Sequence, residues 1–200
     1  MLDARLRPFI EPLLDRLGRP LAARDIGANQ VTLFGFAIGL GAVPALAANA
    51  YWLALLLILA SRVLDGVDGA VARASTPTDF GGFLDIVFDF VFYASVPLGF
   101  AMADPANALP AVFLLVSFMG TGASFLAYAV LAAKRGFAMD LRGRKAFYYL
   151  GGLTEGFETI LCFVLMCLFP GAFATLAWIF GAMCWITTAS RVLAARSSFG

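Results

Sequence analysis

Apolar residues run along most of this chain in stretches of about twenty, the length a helix needs to cross the hydrocarbon core of a bilayer. The stretches fall near residues 31–49, 51–72, 80–103, 109–133, 148–169 and 172–195. Turn formers separate them, with Asn49 inside 48–50 and Pro105 and Asn107 inside 104–108. Ahead of the first stretch, Leu2, Leu6, Phe9, Leu13, Leu17 and Leu21 form a helical stripe with most charged residues off it. An amphipathic segment lying in the membrane interface is expected there. Pro8, Pro12 and Pro20 each remove an amide donor, so one straight helix is not expected. The pattern therefore predicts an all-α membrane protein, with an interfacial segment over 1–28 and a single six-span domain over 29–200.

Composition narrows the chemistry. Apolar residues make up 62% of the chain and charged residues only 14%, against about 25% charged in soluble domains. Histidine is absent, which removes the commonest general base and the Ser-His-Asp and Cys-His nucleophilic sets. Cys162, Cys167 and Cys184 lie in apolar stretches without metal-ligand spacing, so neither a zinc site nor a disulfide framework is expected. No uninterrupted apolar core follows the early arginines, and a cleaved signal peptide is not expected.

Net charge is +1, but the distribution is uneven. With six spans, all the basic residues fall on one side: the early arginines, Arg62 and Arg73 near the end of the second span, 134–145, and Arg191 and Arg196. Basic residues accumulate on the cytoplasmic side, which puts both termini there. Such a face also suits anionic lipids and phosphorylated substrates, although topology alone accounts for most of these charges.

Against this background four carboxylates stand out, because ionised groups inside a bilayer are costly and need partners. Asp65 and Asp68 are three apart, Asp85 and Asp89 four apart, so each pair lies on one helix face. Four converging carboxylates without a matching basic cluster would repel one another, and hard divalent cations would neutralise them. Two such ions can bind a diphosphate and stabilise its leaving oxygen. Gly66, Gly69, Gly81 and Gly82, with Ala70 and Ala72, leave room for a substrate near the backbone, and Arg73 is placed to contact a phosphate.

At these positions the chain resembles the CDP-alcohol phosphotransferase family, whose signature is DxxDGxxAR, a spacer, then GxxxDxxxD. Asp65, Asp68, Gly69, Ala72 and Arg73 match the first half, and Gly81, Asp85 and Asp89 the second, after a seven-residue spacer. The resemblance implies a six-helix membrane fold, a homodimer, and a binuclear Mg²⁺ or Mn²⁺ site near the cytoplasmic surface, here of a bacterial inner membrane. It further implies a CDP-linked lipid donor, CDP-diacylglycerol ahead of the family's alternative of CDP-ethanolamine with a diacylglycerol acceptor, a small alcohol acceptor and CMP as second product, with no nucleic acid partner. The four aspartates would hold the metals, Asp89 would also take the acceptor's proton, and Asp68, Gly69, Ala72, Arg73 and Gly81 would shape the nucleotide pocket. Asn29 and Thr32 extend the likeness to PNxxT with Ala28 in place of proline, though Asn29 as a helix cap explains the same residue.

Competing readings are weaker. A proton or cation pathway needs carboxylates but neither the DGxxAR glycine nor its arginine. A prenyltransferase also binds diphosphate through aspartates, but carries two Asp-rich motifs far apart in the chain. For the acceptor, Glu155 and Glu158 suit an ammonium or polyhydroxyl group and are slightly preferred, while Arg142 and Arg191, with Arg144 and Lys145, suit a phosphate. Gly35 with Gly39, and Gly152 with Gly156, permit close helix packing, within the chain rather than between copies.

Overall fold

The computed structural model describes residues 3–136 and 152–200, with side chains from Pro8 onward. Arg142, Arg144, Lys145 and the start of the expected fifth span lie outside the described residues. Among the described residues eight α-helices follow one another: α1 (Asp3–Ala22), α2 (Ala28–Leu40), α3 (Ala42–Ala47), α4 (Tyr51–Ala74), α5 (Asp79–Ala103), α6 (Ala108–Lys134), α7 (Gly156–Leu168) and α8 (Phe173–Phe199). No strand occurs among the described residues. The segments Ala28–Ala47, Asp79–Ala103, Pro105–Lys134 and Pro170–Phe199 are long and apolar enough to cross a membrane. Helix α4 has the length but carries Arg62, Asp65, Asp68 and Arg73, and the described part of α7 is 13 residues long.

The first expected span is divided into α2 and α3 at Gly41. Pro44 is the physical reason, since it lacks the amide that would bond the carbonyl four residues earlier, at Leu40. The chain then reverses at Asn49, which adopts φ +58° and accepts a 2.6 Å hydrogen bond from the Tyr51 hydroxyl. At the far end of α5, Asp104 Oδ1 accepts from the Ala106 amide at 2.9 Å and starts a short 3-10 turn over Pro105–Asn107. Both turns fall where the turn formers placed them.

Phenylalanines fill the centre. Phe92, Phe100, Phe163 and Phe173 are fully buried with Ile58, Leu114 and Met166. Helix α2 packs on both α4 and α5. A Cβ at Gly35 would meet Leu64 Cβ at 2.9 Å, and one at Gly39 would meet Ser61 Oγ at 2.6 Å and Phe92 at 2.7 Å. That glycine pair therefore serves packing inside the chain. Gly152 likewise sits against Thr187 of α8.

The N-terminal segment departs from expectation. A single helix, α1, runs through Pro8, Pro12 and Pro20. Tertiary packing offsets the lost amide bonds: Leu14 and Leu21 join Val31, Val67 and Val71 in a small core, and α1 lies along α4. Its contact with α4 is close, for a Cβ on Gly18 would come within 2.6 Å of Ala70 Cβ, and one on Gly66 within 2.6 Å of Leu14. Gly66 and Ala70 thus make room for α1, not for a substrate. Phe9 and Leu13 of the predicted stripe face outward, 81% and 60% exposed.

Candidate active site

The carboxylates converge from two helices whose termini are set locally. Thr78 caps α5, its Oγ1 accepting from the Gly81 amide at 3.0 Å, so Asp85 and Asp89 fall on the second and third turns. Gly81 itself is required by crowding: a Cβ there would lie 2.8 Å from Asn29 Oδ1 and 3.1 Å from Thr78 Oγ1. Asn29 is not the cap of α2. Gly27 occupies that position, and Gln30 Oε1 accepts its amide at 3.0 Å.

Asp65, Asp68 and Asp85 each bring a carboxylate oxygen to within 4.8 Å of the others. Asp68 is buried, and its Oδ2 is enclosed without a hydrogen-bond partner. An enclosed, unpartnered carboxylate oxygen is costly. Three converging carboxylates with only oxygen donors fit a hard divalent cation, which would satisfy that atom.

Asp89 is not a member of that group. Its Oδ1 accepts a 2.6 Å bond from Arg62 Nη1, which also lies 3.5 Å from Asp65 Oδ1. Arg62 does not flank the end of a span as its place in the sequence suggested. It lies well inside α4 with its side chain 13% exposed, its guanidinium 4.0 Å from the centre of the Phe92 ring, and Nη2 donating to Ser61 Oγ at 3.3 Å. The four carboxylates therefore have a basic partner after all, one that sequence reasoning assigned only to topology. Its spacing was the available signal, three residues before Asp65 and on the same helix face.

Two cavities meet this cluster. The larger, about 490 Å³, is lined by Asp68, Gly69, Ala72, Arg73, Gly81 and Asp85. Every residue assigned to the nucleotide pocket by resemblance is on its wall, and so are Asn29 and Thr32. Gly82 is also open to it, with nothing within 4 Å of an added Cβ. Arg73 is engaged as well by a residue the sequence did not single out, its Nη2 lying 2.8 Å from Asp15 Oδ1 of α1.

A second cavity of about 290 Å³ is lined by Asp89, Tyr93, Thr121, Thr154, Glu155 and Arg191. Arg191 is 7% exposed, and its Nη1 donates to the Thr121 carbonyl at 2.9 Å. Glu155 and Glu158 form the capping box of α7, with Glu158 Oε2 accepting from the Glu155 amide at 3.2 Å, and Glu155 Oε1 also accepts from the Gly152 amide upstream of the helix at 3.2 Å. Glu155 and Arg191 thus reach one cavity wall, whereas Glu158 is not on it. Three of the four signature aspartates are divided between the two spaces, Asp68 and Asp85 on one and Asp89 on the other, while Asp65 lines neither and borders a small pocket of about 10 Å³ with Arg62 and Asp89.

Fold and site together define an integral membrane protein whose polar centre is a carboxylate cluster between two cavities. The CDP-alcohol phosphatidyltransferase family profile matches residues 26–193, and the chain belongs to that family. It is accordingly a transferase of the phosphatidyl type in phospholipid synthesis. Inner membrane protein YnjF of Escherichia coli (strain K12) is 57% identical over 193 residues, covering 96% of this chain and 94% of that protein. The archaetidylinositol phosphate synthase of Pyrococcus horikoshii is 37% identical over 100 residues, half of this chain and 53% of that enzyme. The synthase of the same name from Methanothermobacter thermautotrophicus is 39% identical over 85 residues, 42% of this chain and 40% of that enzyme.

Proposed function

We propose that the protein transfers a phosphatidyl group from CDP-diacylglycerol to the hydroxyl of a phosphorylated polyol, releasing CMP, with two Mg²⁺ or Mn²⁺ ions held by the signature aspartates. The observation that carries this reading is the division of the aspartates between two cavities. A donor diphosphate in the larger space and an acceptor hydroxyl in the smaller would meet at Asp65, Asp85 and Asp89. In the reaction the acceptor oxygen bonds to the lipid-side phosphorus, and the bond from that phosphorus to the oxygen bridging to CMP breaks. Bound divalent cations would neutralise the diphosphate and the departing CMP phosphate.

The remaining work falls to the chain's own residues. Asp65, Asp68 and Asp85 supply oxygen ligands. Asp89, anchored through one oxygen by Arg62, takes the proton of the acceptor hydroxyl. Gly69 and Gly82 let the cytidine approach the backbone, while Arg73 holds a donor phosphate.

Acceptor choice turns on what each charged group already does. Backbone amides of the α7 capping box engage Glu155 and Glu158, giving that pair a structural role and removing the reason to prefer an ammonium acceptor. Arg191 brings a buried guanidinium to the wall that Asp89 shares, which suits a phosphate. The inositol phosphate in the names of the two archaeal relatives agrees with that chemistry.

Six spans, homodimeric assembly and an inner-membrane location, with both termini and the site at the cytoplasmic face, complete the proposal. Helix α1 then lies at the interface with Phe9 and Leu13 toward lipid. The test incubates purified protein with CDP-diacylglycerol, Mg²⁺ or Mn²⁺ and a panel containing inositol phosphate, glycerol phosphate, serine and ethanolamine. CMP release with a phosphorylated acceptor is expected. CMP release with the amino alcohols alone would overturn the acceptor assignment, and diphosphate release without CMP would assign the site to prenyl transfer.

A further inference from the structure

Arg73 belongs to the family signature, but the group that orients it does not. The matched family region begins at residue 26, whereas the ion-pair partner is Asp15 of α1. Arginine has a long side chain with much rotamer freedom. Here its two terminal nitrogens are separated in task. Nη2 is taken by Asp15 Oδ1 at 2.8 Å, and Nη1 lies 3.4 Å from where a Cβ on Gly69 would stand, against the cleft wall.

Asp15 is itself held in place. Its neighbours Leu14 and Gly18 pack so closely on Gly66 and Ala70 of α4 that a Cβ on either glycine would come within 2.6 Å of the facing residue. These four residues fix both the register and the rotation of α1 at the position where the carboxylate must reach Arg73. Gly66 and Ala70 lie within DxxDGxxAR, so the same short stretch of α4 serves the cleft on one face and receives α1 on another.

Stability does not account for the pair. Both side chains are about one-third exposed, 32% for Arg73 and 34% for Asp15, and an ion pair of that exposure contributes little to folding. Its consequence is geometric, because it fixes one end of the guanidinium and leaves the other end directed at the space a diphosphate would occupy. We propose that Asp15 is a positioning residue for the donor site, holding Arg73 at the cleft so that the segment preceding the family domain sets the affinity for the diphosphate-bearing donor. This rests on the donor cleft assigned above.

The test uses the full-length protein in nanodiscs and compares wild type with Asp15→Ala, Asp15→Asn, Arg73→Ala and the Asp15→Ala/Arg73→Ala double variant. Donor and acceptor KM and kcat are measured with CDP-diacylglycerol, and CMP binding by calorimetry. Asp15→Ala should raise the donor KM about 10-fold, as the rotamer freedom of Arg73 returns, with kcat at saturating donor, acceptor KM and thermal midpoint little changed. Asp15→Asn keeps an acceptor oxygen for Nη2 and should recover most of the loss. In the double variant the donor KM should match that of Arg73→Ala alone. Unchanged donor KM in Asp15→Ala, or a loss that adds to that of Arg73→Ala, would overturn the proposal while leaving the donor cleft standing. Wild-type protein that neither binds CMP nor releases it would overturn both.

Discussion

Replacing Arg62 with methionine separates its charge from its bulk. The methionine retains most of the apolar stem and removes the guanidinium from Phe92, Asp89, Asp65 and Ser61. Removing one partner of a buried ion pair costs about 3–5 kcal/mol, because the other charge is left without compensation. Asp89 is 32% exposed and keeps some water, so the low end applies, about 3 kcal/mol with the lost cation–π contact included. For activity, the carboxylate proposed to take the acceptor proton loses its anchor. Positioned general bases contribute about 10²–10⁴-fold, and a drop in kcat of about 100-fold is expected. Donor KM should stay near the wild-type value, since Arg62 does not line the larger cavity. The assay measures CMP release under saturating donor and acceptor, with thermal unfolding in the same detergent. Arg62→Lys should recover part of kcat by restoring a cation beside Asp89. A kcat within threefold of wild type in Arg62→Met, with the protein folded, would refute the anchoring role.

Three further outcomes are expected. Asp65→Asn, Asp68→Asn, Asp85→Asn and Asp89→Asn should each abolish CMP release while leaving helical circular dichroism intact, because carboxylate repulsion is relieved as a ligand is lost; turnover in excess chelator would remove the metal from the mechanism. Tags at both termini and within 134–145 should be reached from the cytoplasm and a tag at Asp104 from the opposite side, and termini on opposite sides would refute six spans. Arg191→Ala should raise the KM of a phosphorylated acceptor more than 10-fold, whereas Glu155→Gln with Glu158→Gln should leave it nearly unchanged, since amide oxygens still accept the capping bonds; the reverse pattern would return the acceptor to the glutamates.

Sequence alone carried the helical character, the turns at Asn49 and Asp104, and the convergence of Asp65, Asp68 and Asp85. These follow from local rules, namely apolar run length, turn chemistry, and the three- and four-residue spacing that aligns side chains on a helix. Family membership was legible for a related reason: the motif fixes carboxylate spacing within one short segment of chain. What each charged residue does with its neighbours was not legible, because those contacts join positions far apart in the sequence. Arg62 meets Asp89 across 27 residues, Arg73 meets Asp15 across 58, and Arg191 meets the Thr121 carbonyl across 70. Proline positions argued against a single helix α1, yet its burial against α4 outweighs the missing amides. Gly66 reads like its neighbour Gly69, and only the approach of Leu14 separates the one that receives a helix from the one that faces the cleft. Local sequence thus determined which groups the site contains, and the packing of α1, α2, α4 and α5 decided which of them are anchored, which face the larger cavity and which face the second, because only a folded bundle brings distant side chains within hydrogen-bonding reach.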